Sequence, residues 1–415
     1  MNKSIYTTVC TTLIMIVMLG PARAQETNYT VTLDEVVNGS IMLDPAIPAD
    51  GKVKAGTVIR LTATPDPGYT LDAGYYSVPG RFGAMYHESM SSPFEITIDQ
   101  DKSIGASFIE ASELAHLDMI LDVVYAQPGK KVLKYDVFKP KGAKDLPIIV
   151  IIHGGGWASN NEDIMRGMAR ELTKSGKYVV CSIDYRWARK LDGDESNNTM
   201  ADLIGDVFGA IAHIMEHAEE YGGDASRILL TGDSAGGHLS AACANMPHKI
   251  GTGGFGKTPG VFEFMPSYVP EGKTVDQLKT EMVTAIKGAA PSYGAFGGDL
   301  LNHYSDDPAA DSTWSRAIAP LNNIPDASVR EVPQYLTRGT NDFLITDEAV
   351  KVYMEALVEA GHRVQYVQVG GAGHAFFDWK PNERTKATFR KYGVYYCREM
   401  EAFFTSVLSS LEDLP

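Results

Sequence analysis

Three polar residues in glycine-rich stretches could together carry out nucleophilic catalysis. Ser234 lies in GDSAGG directly after the apolar run RILLT, whereas Asp342 in GTND and His374 in GAGHAF each follow a later apolar run. A serine hydroxyl attacks well only when a base accepts its proton, and a carboxylate must orient that base. The sequence therefore predicts that Ser234 attacks a carbonyl carbon, His374 acts as general base and Asp342 orients the imidazole. Asp347 is the nearest rival acid, but its place before an amphipathic run is typical of a helix cap.

The stretch HGGGW, directly after the apolar run PIIVII, could supply backbone hydrogen-bond donors. Attack on an ester turns the carbonyl oxygen into an oxyanion, which preorganised N–H groups stabilise, and glycine lets such groups approach closely. Gly155 and Gly156 are the predicted donors, with Gly154 as the alternative in the same loop. The third predicted donor is Ala235, the residue after the serine. His153 is expected to anchor the loop and not to act as the base.

Buried strands and helices alternate from about residue 113 onward. The apolar runs PIIVIIH, YVVCSIDY and RILLTGDS are typical of strands buried on both faces, and MADLIGDVFGAIAHIMEHAEEYG and AGGHLSAACAN are typical of helices. This alternation predicts an α/β fold, with helices on both faces of a mostly parallel sheet. Since the carboxyl ends of parallel strands lie at one edge, this fold would bring the polar residues and the HGGGW loop together.

Residues 25–112 have a different pattern and predict a small all-β domain before a catalytic domain at 113–415. Short alternating runs such as YTVTL, TVIRLTAT and FEITID are separated by the turn-rich segments PADGK and PDPGY. The stretch NGSIMLDPAIPADGKVKAGTVIRLTATPDPGYTLD resembles bacterial repeat modules that form β-rich appendages on secreted surface proteins. The resemblance implies a spacer, a stabiliser or a module that makes weak glycan or surface contact.

The order HGGGW, DYR, GDSAGG, GTND and GAGHAF resembles the α/β-hydrolase superfamily over roughly residues 115–410. It is similar in particular to esterases with the hormone-sensitive-lipase type of HGGG loop, and to bacterial feruloyl and acetyl esterases that act on plant polysaccharides. This resemblance implies a serine carboxylesterase in which Ser234, Asp342 and His374 are catalytic, with no metal and no organic cofactor. The implied substrates are short-acyl or feruloyl esters, either as small molecules or on plant cell-wall polysaccharide.

Other functions stay open at the level of the sequence. They are a short-chain carboxylesterase or lipase without preference for polysaccharide, a serine peptidase on the same fold, and a surface binding protein without catalysis. Trp157 and Trp379 adjoin the HGGG loop and His374, so both are predicted to line the substrate pocket. Two insertions, residues 246–281 and 299–331, could form further walls of the pocket or a structural cover over the sheet edge.

The composition and the N-terminal sequence limit which cellular compartment and which binding partners are expected. The formal net charge of −15 excludes an electrostatic footprint for nucleic acid or anionic lipid. Residues 1–24, with Lys3, a short apolar run and the sequence ARA, predict a signal peptide and a secreted or periplasmic mature chain without a membrane span. Besides Cys10 in the predicted signal peptide, the chain has three cysteines, which are too far apart in the sequence for a disulfide framework. They could be buried thiols, or two of them could form a disulfide and leave one free thiol; they are Cys181, Cys243 and Cys397.

Overall fold

The computed structural model describes residues 27–80, 83–193, 195, 197–255, 260–301 and 312–412. The predicted signal peptide lies outside these ranges, as do residues 302–311 of the second insertion. Within the described ranges, no helix has the length and apolar character needed to cross a membrane.

Short strands that pair into two sheets form the N-terminal region. They are β1 (Asn28–Leu33), β2 (Gly39–Asp44), β3 (Lys52–Lys54), β4 (Val58–Pro65), β5 (Tyr69–Gly80), β6 (Gly83–Ser89), β7 (Phe94–Thr97) and β8 (Lys102–Glu110). One sheet has the order β3-β1-β8-β5-β6 and the other the order β2-β4-β7. In β4, Ile59 and Leu61 are fully buried and Arg60 between them is exposed, as period-two alternation predicts.

A third, larger sheet of eight strands forms the core of the α/β region. Its strands are β9 (Leu117–Ala126), β10 (Leu133–Pro140), β11 (Leu146–Ile152), β12 (Val179–Ile183), β13 (Gly223–Asp233), β14 (Ile286–Ser292), β15 (Gln334–Gly339) and β16 (Val364–Val369). Across the described residues their order is β16-β15-β14-β13-β11-β12-β10-β9. The pairs from β12 to β16 are parallel, whereas β9 and β10 extend the sheet as antiparallel strands. The sheet is therefore mostly parallel, as expected.

Helices cover both faces of this sheet. They are α1 (Arg166–Thr173), α2 (Met200–Glu216), α3 (Ala235–Asn245), α4 (Val275–Ala285), α5 (Gly298–Leu301), α6 (Ser312–Ile318), α7 (Asp347–Glu359), α8 (Glu383–Thr388) and α9 (Val394–Glu412). Short 3₁₀ turns lie at Ala111–Leu114, Glu162–Met165, Ala218–Tyr221, Pro247–Lys249 and Pro320–Asn322, and a π-helical turn lies at Phe389–Gly393.

Strand β11 shows how the sequence produces this layering. Ile148, Val150 and Ile152 enter the core that α2 and α3 cover, whereas Ile149 and Ile151 enter the core that α1 and α9 cover. All five side chains are fully buried, which explains why the strand is an unbroken apolar run.

The three cysteines left open by the sequence are buried free thiols. Burial raises the pKa of each thiol, so none has the thiolate character of a nucleophile.

Asp72 of β5 joins the N-terminal region to the α/β region. Its carboxylate accepts hydrogen bonds from Arg166 at 3.0 and 3.2 Å, from Arg170 at 2.8 Å and from the indole N–H of Trp379 at 3.0 Å. The ammonium of Lys386 is 3.4 Å away. Burial alone would raise the pKa of Asp72, but these three cations hold it well below its usual range. The N-terminal region is therefore fixed to the α/β region by a fully buried ion cluster.

Replacing Asp72 by alanine is expected to lower the free energy of unfolding by about 3–5 kcal/mol, because the buried cations lose their compensating charge. Asp66→Ala is the matched control, since Asp66 is an exposed residue on the turn before β5 and should change stability by about 0.5 kcal/mol or less. Urea titration of both full-length variants measures the difference. Equal unfolding midpoints would show that the cluster contributes no net stability.

Candidate active site

Ser234 lies at a sharp turn between β13 and α3. Its backbone angles are φ 53° and ψ −114°, a conformation that a non-glycine residue adopts only under strain. The turn also brings two backbones together, because a Cβ on Gly236 would lie 1.9 Å from the carbonyl oxygen of Ile152. The glycine of the GDSAGG motif is thus a steric requirement, and the serine hydroxyl is presented at the carboxyl edge of the sheet.

The structure brings Ser234, His374 and Asp342 into one hydrogen-bonded row. The Ser234 Oγ lies 2.8 Å from Nε2 of His374, and Nδ1 of His374 lies 2.7 Å from Oδ2 of Asp342. A carboxylate can only accept, so Nδ1 carries the proton and Nε2 is free to accept the proton of the serine. The three residues follow β13, β15 and β16, so the parallel sheet positions all of them at one edge.

Asp342 is held as an oriented carboxylate. Its second oxygen, Oδ1, accepts backbone N–H groups from Leu344 at 2.9 Å and Ile345 at 3.0 Å. Burial opposes the charged form, but the hydrogen bonds from His374 and from these amides hold the pKa of Asp342 below its usual range. Asp342 therefore faces His374 as an anion at neutral pH.

The rival acid, Asp347, is engaged elsewhere. Its Oδ1 accepts hydrogen bonds from Tyr366 and Gln368, both at 2.7 Å, and its Oδ2 pairs with Lys351 at 2.7 Å. It is the first residue of α7, whereas the preceding Thr346 caps the helix by accepting the N–H of Ala349. The expectation that Asp347 itself is the cap is wrong by one residue.

The three glycines of the HGGGW loop differ in whether their backbone N–H groups already have a hydrogen-bond acceptor in the protein. The N–H of Gly154 donates to Oδ1 of Asp233 at 2.7 Å, which ties the loop to the residue before Ser234. Across the described residues, the N–H groups of Gly155, Gly156 and Ala235 have no protein acceptor. Gly155 has φ 125°, and a Cβ there would lie 2.3 Å from the carbonyl oxygen of Ser159. Gly154 is thus unavailable as an oxyanion donor, and the other three N–H groups are free to bind a ligand.

Replacing Gly155 by alanine is expected to lower kcat by on the order of 10²–10³-fold, with little change in KM, because the loop must move its donors to relieve the clash. Gly297→Ala is the control, since its added methyl group would meet nothing closer than 3.8 Å. Steady-state kinetics on p-nitrophenyl acetate compare the two. Wild-type kcat in a folded Gly155→Ala variant would contradict the role of this loop.

His153 holds the HGGGW loop in place through hydrogen bonds and ring stacking. Its Nδ1 lies 2.6 Å from the carbonyl oxygen of Gly154, and its Nε2 lies 3.1 Å from Asp184. The ring stacks on Tyr185 with centroids 4.2 Å apart, and the Tyr185 hydroxyl donates to the backbone carbonyl of His153. His153 is fully buried and is engaged on both ring nitrogens, so it is a support for the loop and not a base.

The two predicted pocket tryptophans are both buried. The indole N–H of Trp157 donates to Nδ1 of His238 on α3 at 3.2 Å, which props the loop against the helix behind Ser234. Its contact with substrate stays a prediction. The prediction that Trp379 lines the pocket, which rested on its closeness to His374 in the sequence, is wrong. Its indole is buried against Asp72 at the junction with the N-terminal region.

The two insertions pack against each other and against the fold. Phe255 of the first insertion stacks on Phe264 at 5.0 Å and meets Trp314 of the second edge-on at 6.0 Å. Phe264 is fully buried against Phe208 of α2. These contacts support the reading of the insertions as a structural cover.

Asp233 and Tyr293 belong to the site although the sequence analysis did not single them out. Asp233 accepts the N–H of Gly154 and, at 3.3 Å, the hydroxyl of Tyr293, whose ring lies edge-on to His374 at 4.8 Å. Burial, together with the nearby Asp378 carboxylate, raises the pKa of Asp233 to about 7. Their positions in the sequence were the available signal, because Asp233 is the last residue of β13 and Tyr293 directly follows β14, at the strand ends where the site is formed.

A serine at a strand-to-helix turn, followed by an acid and a histidine at later strand ends of a mostly parallel sheet, defines the α/β-hydrolase class. The α/β region of this chain has the α/β-hydrolase fold. Residues 135–255 match the BD-FAE family model, and residues 29–112 match the model of the divergent InlB B-repeat domain.

Comparison with known proteins agrees with this class. The chain is 36% identical over 116 residues to the carboxylesterase NlhH of Mycobacterium tuberculosis, which covers 28% of this chain and 34% of that protein. It is 32% identical over 270 residues to a probable isoprenylcysteine alpha-carbonyl methylesterase of Oryza sativa, and this alignment covers 62% of this chain and 58% of that protein. The chain thus spans less than two thirds of either relative.

A solved structure supports the fold. A truncated carbohydrate esterase from gut microbiota superposes with a TM-score of 0.53 at 22% identity, over 70% of this chain and 96% of that one.

Proposed function

We propose that this protein is a serine carboxylesterase. The observation that carries the proposal is the row of hydrogen bonds from Ser234 through His374 to Asp342, at 2.8 and 2.7 Å, together with three backbone N–H groups that have no acceptor among the residues that the structure describes. The similarity to the mycobacterial carboxylesterase and to the rice methylesterase supports the same reaction class.

The reaction proceeds in two halves. Ser234 Oγ attacks the ester carbonyl carbon while Nε2 of His374 takes its proton, and the N–H groups of Gly155, Gly156 and Ala235 stabilise the oxyanion. His374 then protonates the leaving alkoxide, which leaves an acyl group on Ser234 and releases the alcohol. In the second half His374 takes a proton from water, the resulting hydroxide attacks the acyl carbon, and the acid leaves as Ser234 regains its proton. No step needs a metal or an organic cofactor.

The proposed substrates are short-acyl or feruloyl esters on plant cell-wall polysaccharide, and the proposed location is secreted or periplasmic. The order of motifs from HGGGW to GAGHAF supports the substrate class, and the composition of residues 1–24 supports the location. Residues 25–112 and 113–415 are proposed as the accessory and catalytic domains of the mature chain.

A panel of esters tests the proposal. p-Nitrophenyl acetate, p-nitrophenyl butyrate, methyl ferulate and acetylated xylan are incubated with the purified full chain and with Ser234→Ala. Turnover of p-nitrophenyl esters together with methyl ferulate or acetylated xylan is the expected result. Turnover of p-nitrophenyl esters alone would overturn the polysaccharide assignment in favour of a general short-chain carboxylesterase. No turnover of any ester would overturn the proposed activity.

A further inference from the structure

A cleft of about 500 Å³ lies between the N-terminal region and the α/β region. This volume falls within the roughly 300–1,000 Å³ of sites that bind small molecules. Strands β5 to β7 form one wall, and β9, β10 and the segments that follow β11 and β12 form the other. Side chains from both walls line the cleft, among them Tyr86, Glu88, Lys134, Asn160, Glu162 and Trp187.

Buried ion pairs hold the two walls in a fixed relation. The guanidinium of Arg166 on α1 lies 2.6 Å from Glu88 of β6 and also binds Asp72 of β5. At the rim, the hydroxyl of Ser91 donates to Asp122 of β9 at 2.8 Å. The cleft is therefore preorganised, which lowers the conformational entropy that the protein must lose when a ligand binds.

Glu162 in this cleft is a buried acid without a protein partner. It is 3% exposed and lines the cleft, and among the described residues no protein group donates a hydrogen bond to its carboxylate. Burial, together with the neighbouring acids Asp184 and Asp163, raises the pKa of Glu162 well above its usual range. The carboxyl group of Glu162 faces the cleft, so a hydroxyl group of a ligand in the cleft can form the hydrogen bond that the protein does not supply.

The lining excludes three classes of ligand. Burial raises the pKa of three of the six lining acids, and the other three balance the two lysines, so the lining offers no net positive charge to an anion; the six acids are Glu88, Glu95, Asp122, Glu162, Asp163 and Asp184. In the described part of the chain, no group of three or more His, Cys, Asp or Glu residues is arranged to hold a metal ion. A lipid would leave the polar lining without partners.

A neutral ligand with many hydroxyl groups satisfies the lining. Hydroxyls can donate to Glu162 and accept from the ammonium of Lys134, which has three N–H donors and uses one on Asp122 at 2.6 Å. Trp187 is half-buried and lines the cleft with the ammonium of Lys131 4.6 Å from the centre of its ring, and an aromatic ring at such a site can pack against the C–H face of a sugar. We propose that this cleft binds a saccharide, with Glu162 as its buried hydrogen-bonding group.

The cleft adjoins the loop that carries the oxyanion donors. The indole N–H of Trp187 donates to the backbone carbonyl of Asn160 at 2.9 Å, and the Asn160 side chain donates to the carbonyl of Gly154 at 3.2 Å. A saccharide in the cleft would lie beside this loop. The saccharide is assigned as the polysaccharide part of the ester substrate, and this assignment, unlike saccharide binding itself, rests on the proposed function.

Binding is measured by isothermal titration of the full chain carrying Ser234→Ala with xylohexaose and with cellohexaose. Replacing Glu162 by leucine, which removes the acid at similar size, should weaken binding by about tenfold or more. Tyr86→Ala changes the opposite wall of the cleft and should weaken binding as well. This variant tests the site if Glu162→Leu does not fold. Glu359→Gln, an exposed acid on α7, is the control and should bind as the parent does. No binding of either oligosaccharide, or equal affinity in all variants, would overturn the site.

Kinetics of the same substitutions in the active chain test the assignment to substrate. Glu162→Leu and Tyr86→Ala should raise KM for acetylated xylan by a larger factor than KM for p-nitrophenyl acetate, which carries no saccharide. An unchanged KM for acetylated xylan, with oligosaccharide binding lost, would overturn the assignment of the saccharide to the substrate. Oligosaccharide binding in a chain that hydrolyses no ester would refute the proposed activity and leave the saccharide site standing.

Discussion

Replacing Ser234 by alanine is expected to lower kcat for p-nitrophenyl acetate by on the order of 10⁶-fold, because no other group can form the acyl intermediate. Ser234 is hydrogen-bonded to His374 at 2.8 Å and lies on a turn that places its hydroxyl at the sheet edge. Because the serine and its base act together, removing the serine alone abolishes nearly all the rate enhancement that the two residues provide. Stopped assays with purified full-length chain measure the loss.

The matched control is Ser240→Ala on the same helix. Ser240 is fully buried and its hydroxyl donates to the backbone carbonyl of Gly237, away from His374. This variant should retain wild-type kcat, and both variants should melt cooperatively in circular dichroism. A folded Ser234→Ala variant with more than about one hundredth of wild-type kcat would place the nucleophile elsewhere.

Replacing Asp342 by asparagine is expected to lower kcat by on the order of 10⁴-fold. An asparagine amide next to Nδ1 can donate to it, which would favour the tautomer with the proton on Nε2 and leave no acceptor for the serine proton. Asp347→Asn is the control, because Asp347 is engaged by Tyr366, Gln368 and Lys351. Its activity should stay within about twofold of wild type, whereas equal losses in both variants would contradict the assignment of the acid.

The pH dependence of kcat/KM tests the protonation states of two acids at the site, Asp342 and Asp233. Because the hydrogen bonds to Asp342 hold its pKa below the usual range against the effect of burial, the carboxylate stays ionised at mildly acidic pH. Protonation of Asp342 should therefore not contribute to the loss of activity until the pH falls below the usual range of an aspartate, whereas Asp233, whose pKa burial and Asp378 raise to about 7, titrates near neutral pH. The stability that Asp342 contributes is present above its ordinary pKa and is lost as the pH falls through the lowered folded-state value.

The sequence was sufficient to predict the parts of the site that local chemistry dictates. GDSAGG requires glycine where Gly236 meets Ile152, and HGGGW requires it where Gly155 meets Ser159, so both motifs are visible as glycine patterns. The order of Ser234, Asp342 and His374 at strand ends follows from the alternation of apolar runs and helices. Their catalytic roles remain predictions that kinetics must test.

Contacts between distant segments could not be predicted in this way. Trp379 lies five residues after His374, yet its indole binds Asp72, 307 residues earlier in the chain. The two antiparallel strands β9 and β10 were not predicted, although LDMILDVVYA and LKYDVFKP do contain strand-forming residues. No local pattern shows that the N-terminal region docks through Asp72 or that the docking creates a cleft, because both depend on residues that meet only in the folded chain.

Covalent labelling of Ser234 by a fluorophosphonate tests the central claim most directly. The probe reacts with a serine only where a base has activated the hydroxyl and donors stabilise the oxyanion. Mass spectrometry of the intact chain should show one equivalent of label, peptide mapping should place it on Ser234, and the Ser234→Ala chain should take up none. An unlabelled wild-type chain at saturating probe, or a label on another residue, would contradict the account.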